Sequence, residues 1–406
     1  MNYRSIYYFV LSIPIINIIA TITTNYFASQ INPGVVRGVF IFVFVAYFII
    51  LKYPKNIISL FLLFSLLYYL TLIPFATVTR VSLYQYLKFF QGTIMFVVGY
   101  YYVNTPSRFL QLIKVQYAVL VIIILNFFVS NYFGLGYSDY ARNSISYGVS
   151  GVNITKTMVP ILLSFPIFFS LNKLSRKGLY ISILIMFVSF ILIILGLKRS
   201  AILALGAGFF AFTITYPQKK ALIKGLVIVS FLFTIASPFF IDIFQDRFEA
   251  RQESGVFETE DIEENEGRVI EMKKVLRAFD EGNIWHKLFG SELFNDRYYF
   301  KETRMLHVDY SILLNGSGLI GLSLFIGFFM LYYLTILRYK TLLYSKSNLL
   351  VNMLYSYSVS LIVVSLVLSI AGSVYSIGLR STTMMLMGST LATIRNIVIT
   401  NYQDTK

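Results

Sequence analysis

Apolar stretches of about 20 residues, each closed by a few polar residues, recur along the whole sequence. No other feature constrains the fold so tightly. In hydrocarbon every backbone N–H and C=O must find its partner within the protein, so only helices or closed barrels can span. The stretches lack the roughly 10-residue alternation of a barrel strand. The chain therefore reads as an all-α polytopic membrane protein. Twelve spans are predicted, at roughly 5–25, 35–51, 57–76, 86–103, 109–133, 153–171, 179–197, 199–216, 225–243, 311–336, 349–371 and 381–400. No small-residue cleavage site follows the first stretch, which reads as a span and not as a removable signal peptide. Charged residues make up only 13% of the chain, against about 25% in soluble domains. The absence of cysteine removes disulfides, thiolate metal sites and thiol nucleophiles.

Loop charges give the expected orientation. Lys52, Lys55, Arg108, Lys173, Arg176, Lys177, Lys219, Lys220, Lys224, Arg338, Lys340 and Lys346 fall in the even-numbered connections. Arg4 and Arg395 lie on the same side. The positive-inside rule makes that side cytoplasmic, with both termini inside. Residues 1–243 then hold spans 1–9, residues 244–308 form an external loop, and residues 309–406 hold spans 10–12 and a short cytoplasmic tail. Within the loop, Val269, Met272, Leu276 and Phe279 share one helical face of GRVIEMKKVLRAF, and Asp280-Glu281-Gly282-Asn283 reads as its stop. The acidic strip 253–266 carries seven carboxylates without metal-ligand spacing and reads as a solvated segment.

The net charge of +15 would suggest nucleic acid in a soluble protein, but its distribution points elsewhere. The 65-residue loop holds 10 Lys or Arg and 15 Asp or Glu, a net of −5. The other 341 residues carry +20, with only Asp139, Asp242, Asp309 and Asp404 as acids. Positive-inside sorting accounts for most of this excess. It leaves eight cations near the outer ends of spans: Arg37, Arg80, Lys88, Arg142, Lys156, Lys198, Arg199 and Arg380. Asp139 and Asp309 cannot neutralise them all. Cations held near a membrane without carboxylates suit an anionic ligand, and arginine's planar fork suits phosphate. Lys198 and Arg199 are the only charges in the 38-residue stretch 179–216. They mark a tight turn between two spans and place Arg199 near a helix N-terminus, where free N–H groups also favour anions.

Of the two histidines, His286 lies in the loop and His307 immediately precedes the tenth span. An imidazole on the plane of Arg199 has the chemistry of a general base near neutral pH, with Asp309 or Tyr310 as its orienting partner. Gly316, Gly318 and Gly321 suit close helix packing. The tyrosine clusters Tyr68–Tyr69, Tyr84–Tyr86 and Tyr100–Tyr102 suit either packing or the lining of a lipid or sugar groove. No internal repeat supports an inverted-repeat transporter.

These features resemble the O-antigen polymerase and O-antigen ligase superfamily of bacterial envelope glycosyltransferases. The matching segments run in the family's order over roughly residues 80–335. They are YLKFFQG with Lys88, ARNSISYGVSGVNITKTMVPILL with Arg142 and Asn153, GLKRSAILAL with Arg199, Gly267–Arg268 opening a helix, LFGSELF, and HVDYSILLNGSGLIGLSLF with His307 and Tyr310. Val308 departs from the pattern, standing where the family commonly has Asn. The resemblance implies a lipid-carrier glycosyltransferase (GT-C-like) fold with one large external helical loop, in the bacterial inner membrane with that loop periplasmic. It implies a polyprenyl-pyrophosphate-linked oligosaccharide as donor and as acceptor, membrane lipids around it, a chain-length regulator protein as partner, and no metal, cofactor or nucleic acid. It gives Arg199 and Arg268 to the pyrophosphate, with Arg142, Arg80, Lys88, Lys198, Asn153 and Tyr310 around them, and His307 to the base. The expected product is an O-antigen or capsule-type polysaccharide. A ligase passing glycan to lipid A core, and a flippase for lipid-linked oligosaccharide, are the alternatives.

Overall fold

The computed structural model describes residues 3–23, 33–54, 56–135, 153–172, 175–196, 198–217, 267–301, 306–342 and 349–403, with isolated positions between 234 and 249. All regular structure among them is helical. The helices are α1 (Tyr3–Thr23), α2 (Pro33–Lys52), α3 (Ile57–Leu72), α4 (Thr79–Tyr102), α5 (Pro106–Tyr132), α6 (Ile154–Leu162), α7 (Phe165–Leu171), α8 (Arg176–Leu195) and α9 (Arg199–Thr215). After them come α10 (Gly267–Glu281), α11 (Ile284–Phe289), α12 (Asp296–Phe300), α13 (Asp309–Leu342), α14 (Leu349–Ile370) and α15 (Ile377–Gln403). Six are long and apolar enough to cross a membrane, or seven if the bent pair α6–α7 counts as one span. The predicted ninth span, 225–243, and the acidic strip lie outside the described residues.

Local chemistry sets the helix starts. Asn56, Thr105 and Ser175 each accept a hydrogen bond from the amide three residues on, at 3.0, 3.4 and 3.2 Å. The 153–171 span is broken rather than continuous: α6 and α7 meet at 44°. Pro160 lies inside α6 and Pro166 opens α7, and each removes a helical donor. Helix α4 begins at Thr79, seven residues before the expected 86, which puts Arg80 in its first turn.

Helices α4 and α15 form the centre. A Cβ at Gly388 would stand 1.9 Å from the Phe96 carbonyl, and one at Gly99 would stand 2.4 Å from that of Met385. The backbones touch there because neither residue has a side chain.

Helix α13 breaks at Gly318 (φ 64°, ψ −166°). The LFGSELF segment packs into the break, leaving 2.4 Å between the Leu288 carbonyl and a Cβ at Gly318. The carbonyls around the break are satisfied from outside the helix. Ser291 N–H donates to Asn315 (2.7 Å), Tyr68 O–H to Ser317 (2.9 Å) and Tyr69 O–H to Gly321 (2.7 Å). Gly316 and Gly318 therefore seat a loop, whereas Gly321 packs against Tyr69 of α3 as expected for close helix packing, and Tyr68 and Tyr69 are structural donors. Glu292 holds the same loop to the end of α3, accepting from the Thr77 amide (2.9 Å) and from Asn295 Nδ2 (2.9 Å).

Candidate functional site

The site is built where the N-terminal end of α13 meets the external helix α10. Helix α10 forms where the apolar periodicity predicts it, but it docks on a different face. Glu271 and Val275 are buried, while Met272 and Leu276 are 51% and 43% exposed. The reason is polar. Glu271 accepts from the His307 backbone N–H at 2.9 Å and its other oxygen faces His307 Nδ1 at 3.3 Å. These contacts turn the Glu271 side of the helix inward, and Val275, one turn further on, is buried with it. The predicted stop also holds: α10 ends at Glu281, and Asn283 caps α11, accepting from the His286 N–H at 2.9 Å.

The orienting partner of His307 is thus Glu271, in place of the Asp309 or Tyr310 expected from sequence. Asp309 is fully buried and serves the α14–α15 connection. It accepts from the Ser373 and Val374 amides (2.8 and 2.9 Å) and from Ser373 Oγ (2.5 Å), and it faces Arg380 Nη2 at 3.5 Å. Tyr310 donates to the Leu366 carbonyl at 2.9 Å. Arg380 also lies over the Phe89 ring at 4.7 Å. Among the predicted outer cations, Arg380 thus has a buried carboxylate beside it, and its role is structural.

The same connection gathers two further elements. Gly372 (φ 78°) approaches His307 so closely that a Cβ would stand 2.3 Å from its carbonyl oxygen. Lys156, 4% exposed on α6, donates to the Ala371 and Gly372 carbonyls at 2.9 and 3.1 Å. Lys198 and Arg268 are close enough to repel its ammonium electrostatically. Lys198 ends the tight connection after α8, and Arg199 is the first residue of α9, as its sequence predicts. Arg268 and Glu271, three apart on α10, share one side of that helix. The helix that carries Arg268 thus also delivers a carboxylate to His307.

The remaining predicted residues separate from this cluster. Lys88 and Asn153 line a neighbouring cavity of about 570 Å³ together with Arg37. Arg80 is exposed in the first turn of α4. Arg142 lies outside the described residues. Sequence reasoning missed Glu271, whose signal was the one acid within 267–279, three residues after Arg268. Among the described residues no three His, Asp or Glu side chains gather as a metal site.

The arrangement pairs an oriented imidazole with cations held by the fold. Such an array can accept a proton beside a leaving group whose negative charge it stabilises. A scan against protein-family models finds no matching family, and a search of curated proteins finds no match.

Proposed function

We propose that this protein is a membrane glycosyltransferase that polymerises polyprenyl-pyrophosphate-linked oligosaccharide units on the outer face of the bacterial inner membrane. The observation that carries the reading is that His307, held by Glu271 from the helix that also carries Arg268, packs against Gly372, whose carbonyl accepts from buried Lys156. Twelve spans and a GT-C-like fold belong to the same reading. So do a periplasmic loop 244–308 and cytoplasmic termini.

In the reaction an acceptor hydroxyl attacks the anomeric carbon of the donor glycan. The new C–O bond forms as the bond to the pyrophosphate oxygen breaks, and the bonding pair leaves with the lipid pyrophosphate. The hydroxyl proton passes to His307 Nε2, the nitrogen opposite the one that faces Glu271. Lys156, Lys198, Arg199 and Arg268 stabilise the charge that grows on the leaving group. Fixed cations supply this stabilisation without a metal, so turnover survives a chelator in this reading.

Reconstitution tests it. Purified protein in liposomes with lipid-linked repeat units should form glycans of two units and more. Arg268→Ala should lose roughly 10²–10³ of that rate, the scale of one transition-state donor, while still inserting. Translocation without a new glycosidic bond would make the protein a flippase. Transfer to lipid A core without elongation would make it a ligase. Full activity in Arg268→Ala would remove the pyrophosphate role.

A further inference from the structure

The cavity of about 570 Å³ lies between α1, α2, α4, α6 and α15. It sits next to the His307 cluster but is distinct from it. The two are divided by α6 and by the connection before α15. Asn153, Ile154 and Thr157 face the cavity, while Lys156 reaches the other way to the Ala371 and Gly372 carbonyls. Tyr375 to Gly378 line the cavity, while Ala371 to Val374 hold Lys156 and Asp309.

Its lining is mostly apolar and contains two cations, Arg37 and Lys88, with no carboxylate among the described residues. Arg37 donates weakly to Thr21 Oγ1 at 3.5 Å, and its buried Nε has no hydrogen-bond partner among the described residues. Lys88 lies over the Tyr84 ring at 4.2 Å. A buried guanidinium with unspent donors is costly unless an anion completes it. An apolar track leads away from these cations: Val35, Val39 and Phe42 line the cavity on α2 and are 54%, 58% and 44% exposed. The volume is that of a typical small-molecule site, about 300–1,000 Å³, which suits a headgroup and the first units of a chain.

We infer that this cavity holds the pyrophosphate end of a second polyprenyl lipid, the acceptor, beside the donor at Lys156, Lys198 and Arg268. The inference rests on the polymerase reading, in which both substrates carry a lipid pyrophosphate and two anion sites are needed. Charge complementarity at Arg37 and Lys88, with the apolar track on α2, selects a lipid over a free anion. Lys88 and Asn153 then serve the acceptor and not the leaving group.

Equilibrium dialysis of radiolabelled farnesyl pyrophosphate against the full chain in nanodiscs reads this without turnover. Wild type should bind two molecules per chain. The pair Arg37→Ala and Lys88→Ala should leave one, and so should Arg268→Ala with Lys198→Ala. If the first pair does not fold, Lys88→Gln alone should weaken one site roughly tenfold, about 1.4 kcal/mol, and spare the other. One molecule per chain in wild type would overturn the inference. Two equal sites surviving in the folded Arg37/Lys88 variants would do the same. Displacement from the cavity by equimolar inorganic pyrophosphate would overturn the lipid assignment, since the chain would then contribute nothing. Two sites on a protein that forms no glycosidic bond would sink the enzyme and keep the cavity. One site on a protein that elongates glycans would do the reverse.

Discussion

The two ends of the helical bundle are both rich in cations, yet they hold them in opposite ways. At the far end Arg108 donates to the Asn104 side chain and the Tyr102 carbonyl, at 3.2 and 3.4 Å. Arg395 donates to Tyr100 Oη at 3.0 Å, and Lys340 lies over the Tyr355 ring at 4.0 Å. The segments around them, residues 52–60, 100–110, 336–350 and 390–403, contain no Asp or Glu. At the His307 end Glu271, Asp296 and Asp309 are all buried. Each holds a backbone amide: His307, Leu306, and Ser373 with Val374. Cations answered by aromatic rings, hydroxyls and carbonyls are what topology sorting requires. Buried carboxylates cost desolvation and are retained where they fix the position of other groups. In the proposed function, the difference separates an end that orients the chain from an end that arranges chemistry.

The sharpest way to break this contrast is to exchange the two ends in a rate assay. His307→Ala should lower glycan elongation by roughly 10²–10⁴, the range for a general base. Arg395→Gln at the far end should leave the rate within about twofold, since exposed or half-exposed polar contacts contribute little. Equal losses from both would erase the distinction. Next in size is Glu271. As a positioning residue it should act on kcat alone: Glu271→Ala should cost about tenfold, a fraction of the His307 effect, with KM for the lipid-linked donor unchanged. Glu271→Gln keeps an acceptor for the Nδ1–H and should recover most of that loss. A raised KM with kcat intact would show that Glu271 serves the donor site and not the base.

Much of this architecture was legible in hydropathy alone, because hydrocarbon tolerates few alternatives to a helix. The turn at Lys198–Arg199 was readable for the same reason: 38 apolar residues are about two spans, so the charges between them mark the turn. Hydropathy could not show the break at Gly318, since a loop packed into a helix leaves the apolar average unchanged and depends on Tyr68, Tyr69 and Ser291 from elsewhere in the chain. Periodicity shows the apolar face of α10 but not that Glu271 turns toward His307, because a single carboxylate contact leaves no periodic signal. The cations expected at outer span ends fall at different places in the fold, and nothing in their spacing divides Arg380, held by Asp309, from Lys156 on the Ala371 and Gly372 carbonyls, or either from Arg37 and Lys88.

The smallest expected effect concerns the buried carboxylate held most simply. Burial raises the Asp296 carboxyl above the ordinary aspartate range, against the opposing pull of the Leu306 amide that donates to it. A carboxyl raised by folding favours the protonated fold. Its contribution is complete below the unfolded pKa and is lost as pH climbs through the folded value, so above that value the ionised Asp296 works against the structure. Asp296→Asn removes the charge and keeps an oxygen for the Leu306 N–H. It should raise the unfolding temperature of the detergent-solubilised protein by about 2 °C at pH 8 and leave it unchanged at pH 4. A fall at pH 8 would mean that the charge itself is held by its surroundings. The contrast of the His307 end with the far end would then widen.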